Sequence, residues 1–321
     1  MLFSLALLLI PLAACQQSPA PVGSTASKAD APETPKVRIG VIPITGFAQL
    51  YAADKLGYYA DEGLEVELTP FGGGAEMLPA VQAGKIHFGT SNYISAILGR
   101  SEGFDFYLAS NLVNAKSAPP DIDGGLWVKK DSPVTSLKQL EGKRVAVNDL
   151  KSLAWLSVRE SARKAGADPD KIQFLEIPYP QVPDAVLNNQ VDAGYTASPF
   201  SLRLNDAGKA LAWVFVDTLP SMPLGGLFGS EAWVKKNPIT TKKVVNAIKR
   251  GTEAMLNNDE QGRKFVAEFT KMDPAVLAKI PFHDWQFKID EKALQQVADI
   301  MYSHKLLKQK VDTSTFVMKN P

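Results

Sequence analysis

Two segments of this 321-residue chain, AVQAGKIHFG at residues 80–89 and AVLNNQVDAG at residues 185–194, align without gaps and decide its fold. The second follows the first by 105 positions (185 − 80). Arg38–Ile42 and Arg144–Asn148 also match, at an offset of 106 (144 − 38). Two matches at nearly the same offset indicate a duplicated unit.

Short β-type runs alternate with helical patterns throughout both copies. The first copy predicts strands at 37–42 and 64–71 and helices at 47–59 and 75–83, and the second predicts strands at 144–148 and 172–177 and helices at 150–165 and 182–188. This alternation favours parallel sheets covered by helices, so the predicted fold class is α/β with two doubly wound lobes. Helices predicted at 242–256, 261–270 and 290–302 are expected to pack on the first lobe.

Two glycine pairs form a third repeat, Gly124-Gly125-Leu126-Trp127 and Gly225-Gly226-Leu227-Phe228. Paired glycines permit unusual backbone angles, so we interpret them as the two crossings of a hinge. Glycines at ordinary strand starts are the alternative. The hinge interpretation gives lobe I residues 36–123 and 224–321, and gives lobe II residues 124–223.

The N-terminus has the pattern of an exported lipoprotein. Leu2–Ile10 is apolar, and small residues precede Cys15. This run is shorter than the roughly 20 residues that span a bilayer, so residues 1–14 are predicted to be a cleaved signal peptide. A buried helix with an incidental cysteine is the alternative. Cys15 is the predicted lipidation site, and residues 15–35 form a predicted flexible tether that holds the protein at the periplasmic or cell-surface side of a membrane.

Composition excludes several classes of function. A net charge of +1 with interspersed signs gives no basis for nucleic-acid binding. Cys15 is the only cysteine, so thiolate metal clusters and a cysteine nucleophile in the folded part are excluded. The three histidines have no metal-ligand spacing, and no phosphate-binding loop or nucleophile elbow is present. We therefore predict a monomer that is not an enzyme and has no cofactor or metal.

Polar and aromatic turns follow the predicted strands, where open α/β sheets bind ligands. For any one residue, a turn or helix-cap role is the alternative. The candidate ligand-binding residues are Thr45, Phe47, Gln49, Gly73, Gly74, Ser91, Asn92, Tyr93, Asn148, Ser152, Tyr179, Tyr195 and Ser198.

Four further motifs carry a family resemblance. They are FGGGAEML (71–78), KDSPV (130–134), LEGKRVAV (140–147) and QVDA (190–193). In this order they resemble the periplasmic binding family for nitrate, aliphatic sulfonates, taurine and thiamine pyrimidine precursors. The resemblance implies a type II periplasmic-binding-protein fold with a ligand cleft between two lobes joined by a two-crossing hinge. It also implies an ABC importer with permease and ATPase subunits as partners.

The same resemblance leaves the ligand and two other functions open. It places Thr45, Phe47 and Gln49 at the cleft, but Tyr195 and Ser198 stand where many relatives carry a Trp and an acidic residue. A sulfonate-like oxyanion suits the helix starts at Gly74 and Asn148, whereas the aromatic turns suit an aromatic or heteroaromatic ligand. A thiamine-pyrimidine-synthase-like enzyme, or a subunit that presents ligand to a membrane sensor, are the alternative functions.

Overall fold

Two five-stranded sheets with helices around them form the body of the protein. The structure, a computed structural model, describes residues 31–121, 123–198, 200–278 and 280–319. The α/β class predicted from the sequence is confirmed. The predicted signal peptide, Cys15 and the tether up to residue 30 lie outside the described residues.

The strands of the two sheets have between three and nine residues, within the usual range for globular proteins. In chain order they are β1 (Lys36–Val41), β2 (Glu65–Pro70), β3 (Phe88–Asn92), β4 (Phe106–Asn114), β5 (Gly125–Lys129), β6 (Arg144–Val147), β7 (Gln173–Glu176), β8 (Ala193–Tyr195), β9 (Gly208–Trp213) and β10 (Pro223–Ser230). The first sheet has the order β2-β1-β3-β10-β4, and the second has the order β7-β6-β8-β5-β9.

Both sheets have the same topology. In the first, β1 pairs in parallel with β2 and β3, and β10 returns antiparallel between β3 and β4. In the second, β6 pairs in parallel with β7 and β8, and β5 lies antiparallel between β8 and β9. In each sheet the antiparallel fourth strand, β10 or β5, is the one that follows a chain crossing. This shared topology is what a duplicated unit produces.

Helices cover both sheets. They are α1 (Ala48–Lys55), α2 (Tyr58–Asp61), α3 (Gly74–Gln82), α4 (Tyr93–Ser101), α5 (Leu153–Lys164), α6 (Val182–Leu187), α7 (Val214–Thr218), α8 (Glu231–Lys236), α9 (Pro238–Asn257), α10 (Asp259–Thr270), α11 (Pro274–Leu277) and α12 (Glu291–Ser303). As predicted, α9, α10 and α12 pack on elements of the first sheet's half.

Two predicted helices differ from the observed ones. The helix predicted at 47–59 is interrupted at Gly57, whose φ of 74° is left-handed. The helix predicted from residue 150 begins instead at Leu153, because Lys151 adopts a φ of 60° and Ser152 caps the first turn. Residues 148–152 are therefore a loop rather than a helix.

Of the four paired glycines only Gly124 lies in a chain crossing, and the other three lie in strands, so the interpretation of the pairs as the two crossings is wrong for those three. Gly125 begins β5, and Gly225 and Gly226 lie inside β10. None of these three has a left-handed φ; a Cβ on Gly226 would lie 2.5 Å from the Ser110 carbonyl oxygen, so close packing explains that glycine.

The chain crosses between the sheets at residues 115–124 and 214–222. The two crossings hydrogen-bond to each other, Ala115 N–H to the Met222 carbonyl at 2.8 Å and Ser221 N–H to the Lys116 carbonyl at 3.2 Å. The lobe boundaries at 123/124 and 223/224 stay predictions.

The end of the predicted tether is attached to the folded body. Glu33 accepts hydrogen bonds from the N–H groups of Ile239 (3.0 Å) and Thr240 (2.7 Å), at the start of α9. Thr34 N–H donates to the Thr240 hydroxyl at 3.0 Å. Burial raises the pKa of Glu33, but these N–H donors outweigh it and hold that pKa below its ordinary value. These two residues therefore do not belong to a flexible segment.

Within the described ranges, no helix combines the length and the apolar character that crossing a bilayer requires.

Candidate ligand-binding cleft

One cavity of about 380 Å³ lies where the carboxyl ends of parallel strands from both sheets face each other. Its lining includes Ile42 after β1 and Asn92 at the end of β3. From the second sheet it includes Asn148 after β6 and Tyr195 at the end of β8. The volume is within the range of small-molecule sites, about 300–1,000 Å³.

Eight of the thirteen predicted binding residues line this cavity. They are Phe47, Gly73, Gly74, Asn92, Asn148, Ser152, Tyr179 and Tyr195. Their side chains or backbone come from the ends of six strands, β1, β2, β3, β6, β7 and β8, as the rule for open α/β sheets predicts. Contact of each with a ligand stays a prediction.

Two other predicted residues of the first turn point into the protein. Thr45 begins a short 3₁₀ helix over Thr45–Phe47 and is 1% exposed, with its hydroxyl bonded to Nε2 of His283. Gln49 is fully buried and donates from Nε2 to the Leu112 carbonyl at 3.1 Å. Neither lines the cavity, whereas Gly46 and Phe47 of the 3₁₀ turn do.

The remaining three predicted residues are also buried outside the lining. The Tyr93 hydroxyl donates to Oδ1 of Asn111 at 2.9 Å. Ser91 and Ser198 are 2% and 1% exposed, and their hydroxyls have no hydrogen-bond partner within the part of the chain described. A Cβ on Gly74 would lie 2.2 Å from Oγ of Ser91, so Ser91 supports the backbone that borders the cavity.

Two polar cavity residues also cap helices. Oδ1 of Asn92 accepts from Ser95 N–H at 2.9 Å at the start of α4. Oγ of Ser152 accepts from Trp155 N–H at 3.4 Å at the start of α5. The cap role considered for turn residues therefore applies to both, and it fixes their positions at the cleft.

Aromatic rings form one wall of the cavity on the side of the second sheet. The rings of Tyr179 and Tyr195 are edge to face at 5.9 Å, and those of Tyr195 and Phe215 are 5.4 Å apart. Burial raises the pKa of both tyrosines, so their hydroxyls stay neutral. Phe47 faces them from the first lobe's side of the lining.

Two carboxylates lie at the loop between β6 and α5, Asp149 within the loop and Glu176 at the end of β7. Asp149 accepts from Nδ2 of Asn148 at 2.6 Å, and Glu176 accepts from Leu150 N–H at 2.8 Å. Burial, and then the nearby Glu176, raise the pKa of Asp149. Glu176, which the sequence reasoning missed, thus occupies a backbone donor that an oxyanion would otherwise use. Its place at the end of β7 was a usable signal.

Glu102 and Asp123 also line the cavity and were missed. Glu102 follows α4, and Asp123 lies in the first crossing. Neither follows a parallel strand, so the strand-end rule does not find them. No group of three or more His, Cys, Asp or Glu side chains could hold a metal ion among the residues with described positions.

A cleft lined by two similar lobes, with the chain crossing twice beside it, defines a class of proteins that bind a small molecule between two domains. The sequence profile described as NMT1/THI5 like matches residues 44–262, more than half of the chain. The chain belongs to this family, which confirms the prediction from its motifs.

Three known proteins show what the chain resembles. The riboflavin-binding protein RibY of Chloroflexus aurantiacus is 22% identical over 279 residues, covering 83% of this chain and 77% of RibY. The 4-amino-5-hydroxymethyl-2-methylpyrimidine phosphate synthase of Uromyces fabae is 20% identical, covering 71% and 67%. The structure of the alkanesulfonate-binding protein from Xanthomonas axonopodis pv. citri bound to MOPS is 21% identical, with a TM-score of 0.75 and coverage of 89% and 99%.

Proposed function

We propose that this chain is the extracytoplasmic solute-binding component of an ABC-type importer and captures a small organic molecule in its interlobe cleft. The observation that carries this proposal is the cavity of about 380 Å³ lined from both lobes beside the two crossings. Relatives named as binding proteins, for riboflavin and for alkanesulfonates, support it.

The proposed mechanism is capture by closure. Phe47 from one lobe and Tyr195 from the other border the same cavity, so a ligand contacts both walls only when the lobes are together. A ligand shifts an equilibrium by its difference in affinity between the two states. Bound ligand therefore favours the closed state, which the permease and ATPase partners recognise.

An enzyme of the pyrimidine-synthase type is the second candidate, because one relative carries that name. We favour binding over catalysis. Cys15 is the only cysteine of the chain and lies outside the family match at residues 44–262, so no cysteine thiol can take part in catalysis in the cleft. Presentation of ligand to a membrane sensor uses the same cleft and differs only in the partner.

Attachment by lipid at Cys15, after removal of residues 1–14, is part of the proposal. Its support is the apolar run and the small residues that precede Cys15. In a bacterial host, Cys15→Ser is expected to release the chain from the membrane fraction and to abolish incorporation of labelled fatty acid. Continued labelling of this variant would refute lipidation at Cys15.

The test of capture is a thermal-shift screen of the purified chain with riboflavin, pyrimidines, aromatic acids, alkanesulfonates, taurine and nitrate. We expect one chemical class to raise Tm, since ligand at 100 times its Kd adds about 2.7 kcal/mol to stability. Small-angle scattering with and without the stabilising compound should show a smaller radius of gyration when it is bound. If no compound stabilises the chain, capture of these solutes is refuted.

A further inference from the structure

Asp123 lies at the junction of the cavity and the first crossing. Asp123 is one of the residues that line the cavity, and its side chain is 15% exposed. Oδ2 lies 2.6 Å from Nδ1 of His283, and Nε2 of His283 is bonded to the hydroxyl of Thr45. With Nδ1–H donating to Asp123, Nε2 accepts from the hydroxyl, so every group in the chain of bonds is satisfied.

The end of this hydrogen-bonded chain that lies at the cavity determines which role the chain can have. A nucleophilic triad exposes its hydroxyl to substrate and buries its carboxylate. Here Thr45 is buried outside the cavity lining, whereas Asp123 is the member of the hydrogen-bonded chain that lines the cavity. The arrangement therefore holds a carboxylate in place toward a ligand and does not activate a nucleophile.

The other charged groups of the lining have the same sign. Glu102, Asp149 and Glu176 join Asp123, whereas Lys151 is the single cation among the lining residues. Four carboxylates against one ammonium give a field that repels anions, and the apolar walls strengthen it. The family's structural neighbour from Xanthomonas holds a sulfonate, so this lining indicates a different ligand chemistry.

Backbone donors that would attract an oxyanion are already used by the chain's own acceptors. Glu176 takes the N–H of Leu150, and Oε2 of Glu76 lies 3.3 Å from the N–H of Gly72 before α3. Asn92 takes the N–H of Ser95 at the start of α4. Neither half therefore presents these N–H groups to a bound anion.

We propose that Asp123 anchors the ligand, and that the ligand is a planar aromatic or heteroaromatic molecule with a cationic or N–H-donating group. This inference rests on the proposed solute-binding function and narrows its ligand class. The aromatic wall of Tyr179, Tyr195 and Phe215 takes the planar part. Asp123 receives the donor group, and a charge-assisted bond of this kind is stronger than a neutral one. His283 is a positioning residue that acts through Asp123.

The experiment compares three bicyclic probes of similar shape and different charge, namely 2-naphthamidine, 2-naphthamide and naphthalene-2-sulfonate. Each is titrated into the purified full chain by isothermal calorimetry at pH 7.5. We expect the amidine to bind at least tenfold more tightly than the sulfonate, with the amide between them. A sulfonate that binds as tightly as the amidine overturns the inference but leaves capture in the cleft intact. Absence of binding by all three also overturns it, while the solute screen tests capture separately.

Variants then assign the preference to Asp123. Asp123→Asn should weaken binding of the amidine at least tenfold and change the affinity for the amide by less than about threefold. Glu67→Gln is the control, because it removes an exposed carboxylate outside the lining. His283→Leu should weaken the amidine selectively, whereas general structural damage weakens all three probes. His283→Gln, which keeps a hydrogen-bond donor for Asp123, should bind the amidine more tightly than His283→Leu does.

Equal amidine affinity of Asp123→Asn and the unaltered chain overturns the role of Asp123. If Asp123→Asn does not fold, Glu176→Gln provides a second removal of a cavity carboxylate, and the probe order on the unaltered chain still decides the ligand class. Under this proposal Glu176→Gln keeps the preference for the amidine, and loss of that preference would assign the selection to Glu176 and overturn the role of Asp123.

Discussion

His304 and Glu160 join the two halves of the molecule, with Nε2 of His304 2.9 Å from Oε2 of Glu160. His304 follows α12, which packs on α4 of the first half, and Glu160 lies on α5 of the second. Both side chains are 4% exposed. Arg163 also binds Glu160 through two 2.8 Å contacts. The residue that follows α12 therefore contacts α5 of the other half, at a point remote in sequence from the crossings.

Removing His304 should destabilise the protein. His304→Ala removes the interlobe bond to Glu160, whose Oε2 keeps its bond to Arg163, and loss of a hydrogen bond to a charged group costs about 1.5–3 kcal/mol. Urea denaturation followed by circular dichroism measures the loss. Tyr302→Ala is the matched control, because Tyr302 lies on the same helix, is 41% exposed and should change stability by less than about 0.5 kcal/mol. Equal effects of the two substitutions would contradict a stabilising contact.

The same pair predicts that acid destabilises the fold. Burial lowers the pKa of His304, with Arg159 adding to the effect and Glu160 opposing it. Burial raises the pKa of Glu160, but its bonds to Arg163 and His304 outweigh this and lower it. Each group binds fewer protons when folded than when unfolded, so stability is lost as pH falls below about 6.5 and further below about 4.5.

Unfolding curves at pH 7.5, 6 and 5 measure this dependence. His304→Gln should flatten the part between pH 7.5 and 6, because the titrating group is gone. A slope that is identical in the substituted and unaltered chains would show that the dependence comes from other groups.

The internal repeat made much of the fold predictable. Ile39 pairs with Phe88 in the first sheet, and Val145 pairs with Ala193 in the second, at the offsets of the sequence match. The two copies also make an equivalent hydrogen bond from side chain to backbone. Nδ1 of His87 accepts the N–H of Arg38 at 3.0 Å, and the residue aligned with His87, Asp192, accepts the N–H of Arg144 at 2.8 Å. Local pattern specified these contacts because each is made within one copy of the repeated strand–helix–strand–helix–strand segment.

The cleft was predictable only in part. Residues at strand ends, such as Asn92 and Asn148, were found because sheet geometry brings those ends together. Asp123 and His283 are separated by 160 positions, and their contact depends on how the C-terminal segment packs beside the crossing. Nothing in the local sequence of either residue encodes that packing.

Ionisation of Asp121, a buried residue near the cleft, should destabilise the protein as pH rises toward and above 7. Asp121 is 1% exposed, and its Oδ2 has no hydrogen-bond partner in the described ranges. Burial, and then the charge of Asp123, raise its pKa to about 7. A raised pKa means that ionisation opposes folding progressively between about pH 4 and pH 7 and fully above it. Asp121→Asn should therefore add on the order of 2–4 kcal/mol to the free energy of unfolding at pH 8 and much less at pH 4.5. A gain of equal size at both pH values would contradict the raised pKa.

Gly194 should not tolerate a side chain, because β8 and α6 are in close contact there. A Cβ at this position would lie 2.6 Å from Cγ1 of Val182 and 2.8 Å from Cγ2 of Val186. Overpacking of this kind costs about 1–3 kcal/mol, so Gly194→Ala should lower the urea midpoint. Gly73→Ala is the control, since no atom lies within 4 Å of its added Cβ. A midpoint unchanged by Gly194→Ala would show that α6 moves away at no cost.

Tyr179 and Tyr195 should separate ligand binding from stability. Both line the cavity, but Tyr195 is 3% exposed and packs on Phe215, whereas Tyr179 is only half-buried. Removing either ring should weaken the ligand found in the solute screen by roughly tenfold, since an aromatic contact adds about 0.5–1.5 kcal/mol beyond its buried area. Tyr195→Ala should also cost about 3–5 kcal/mol of stability, and Tyr179→Ala much less.

Calorimetric titration measures the ligand affinity, and urea unfolding measures the stability. Tyr107→Ala, outside the lining, is the control that keeps ligand affinity. An unchanged affinity in Tyr179→Ala would show that this ring does not contact the ligand. The variant reports on binding directly, because it stays folded and its binding measurement is not affected by unfolding.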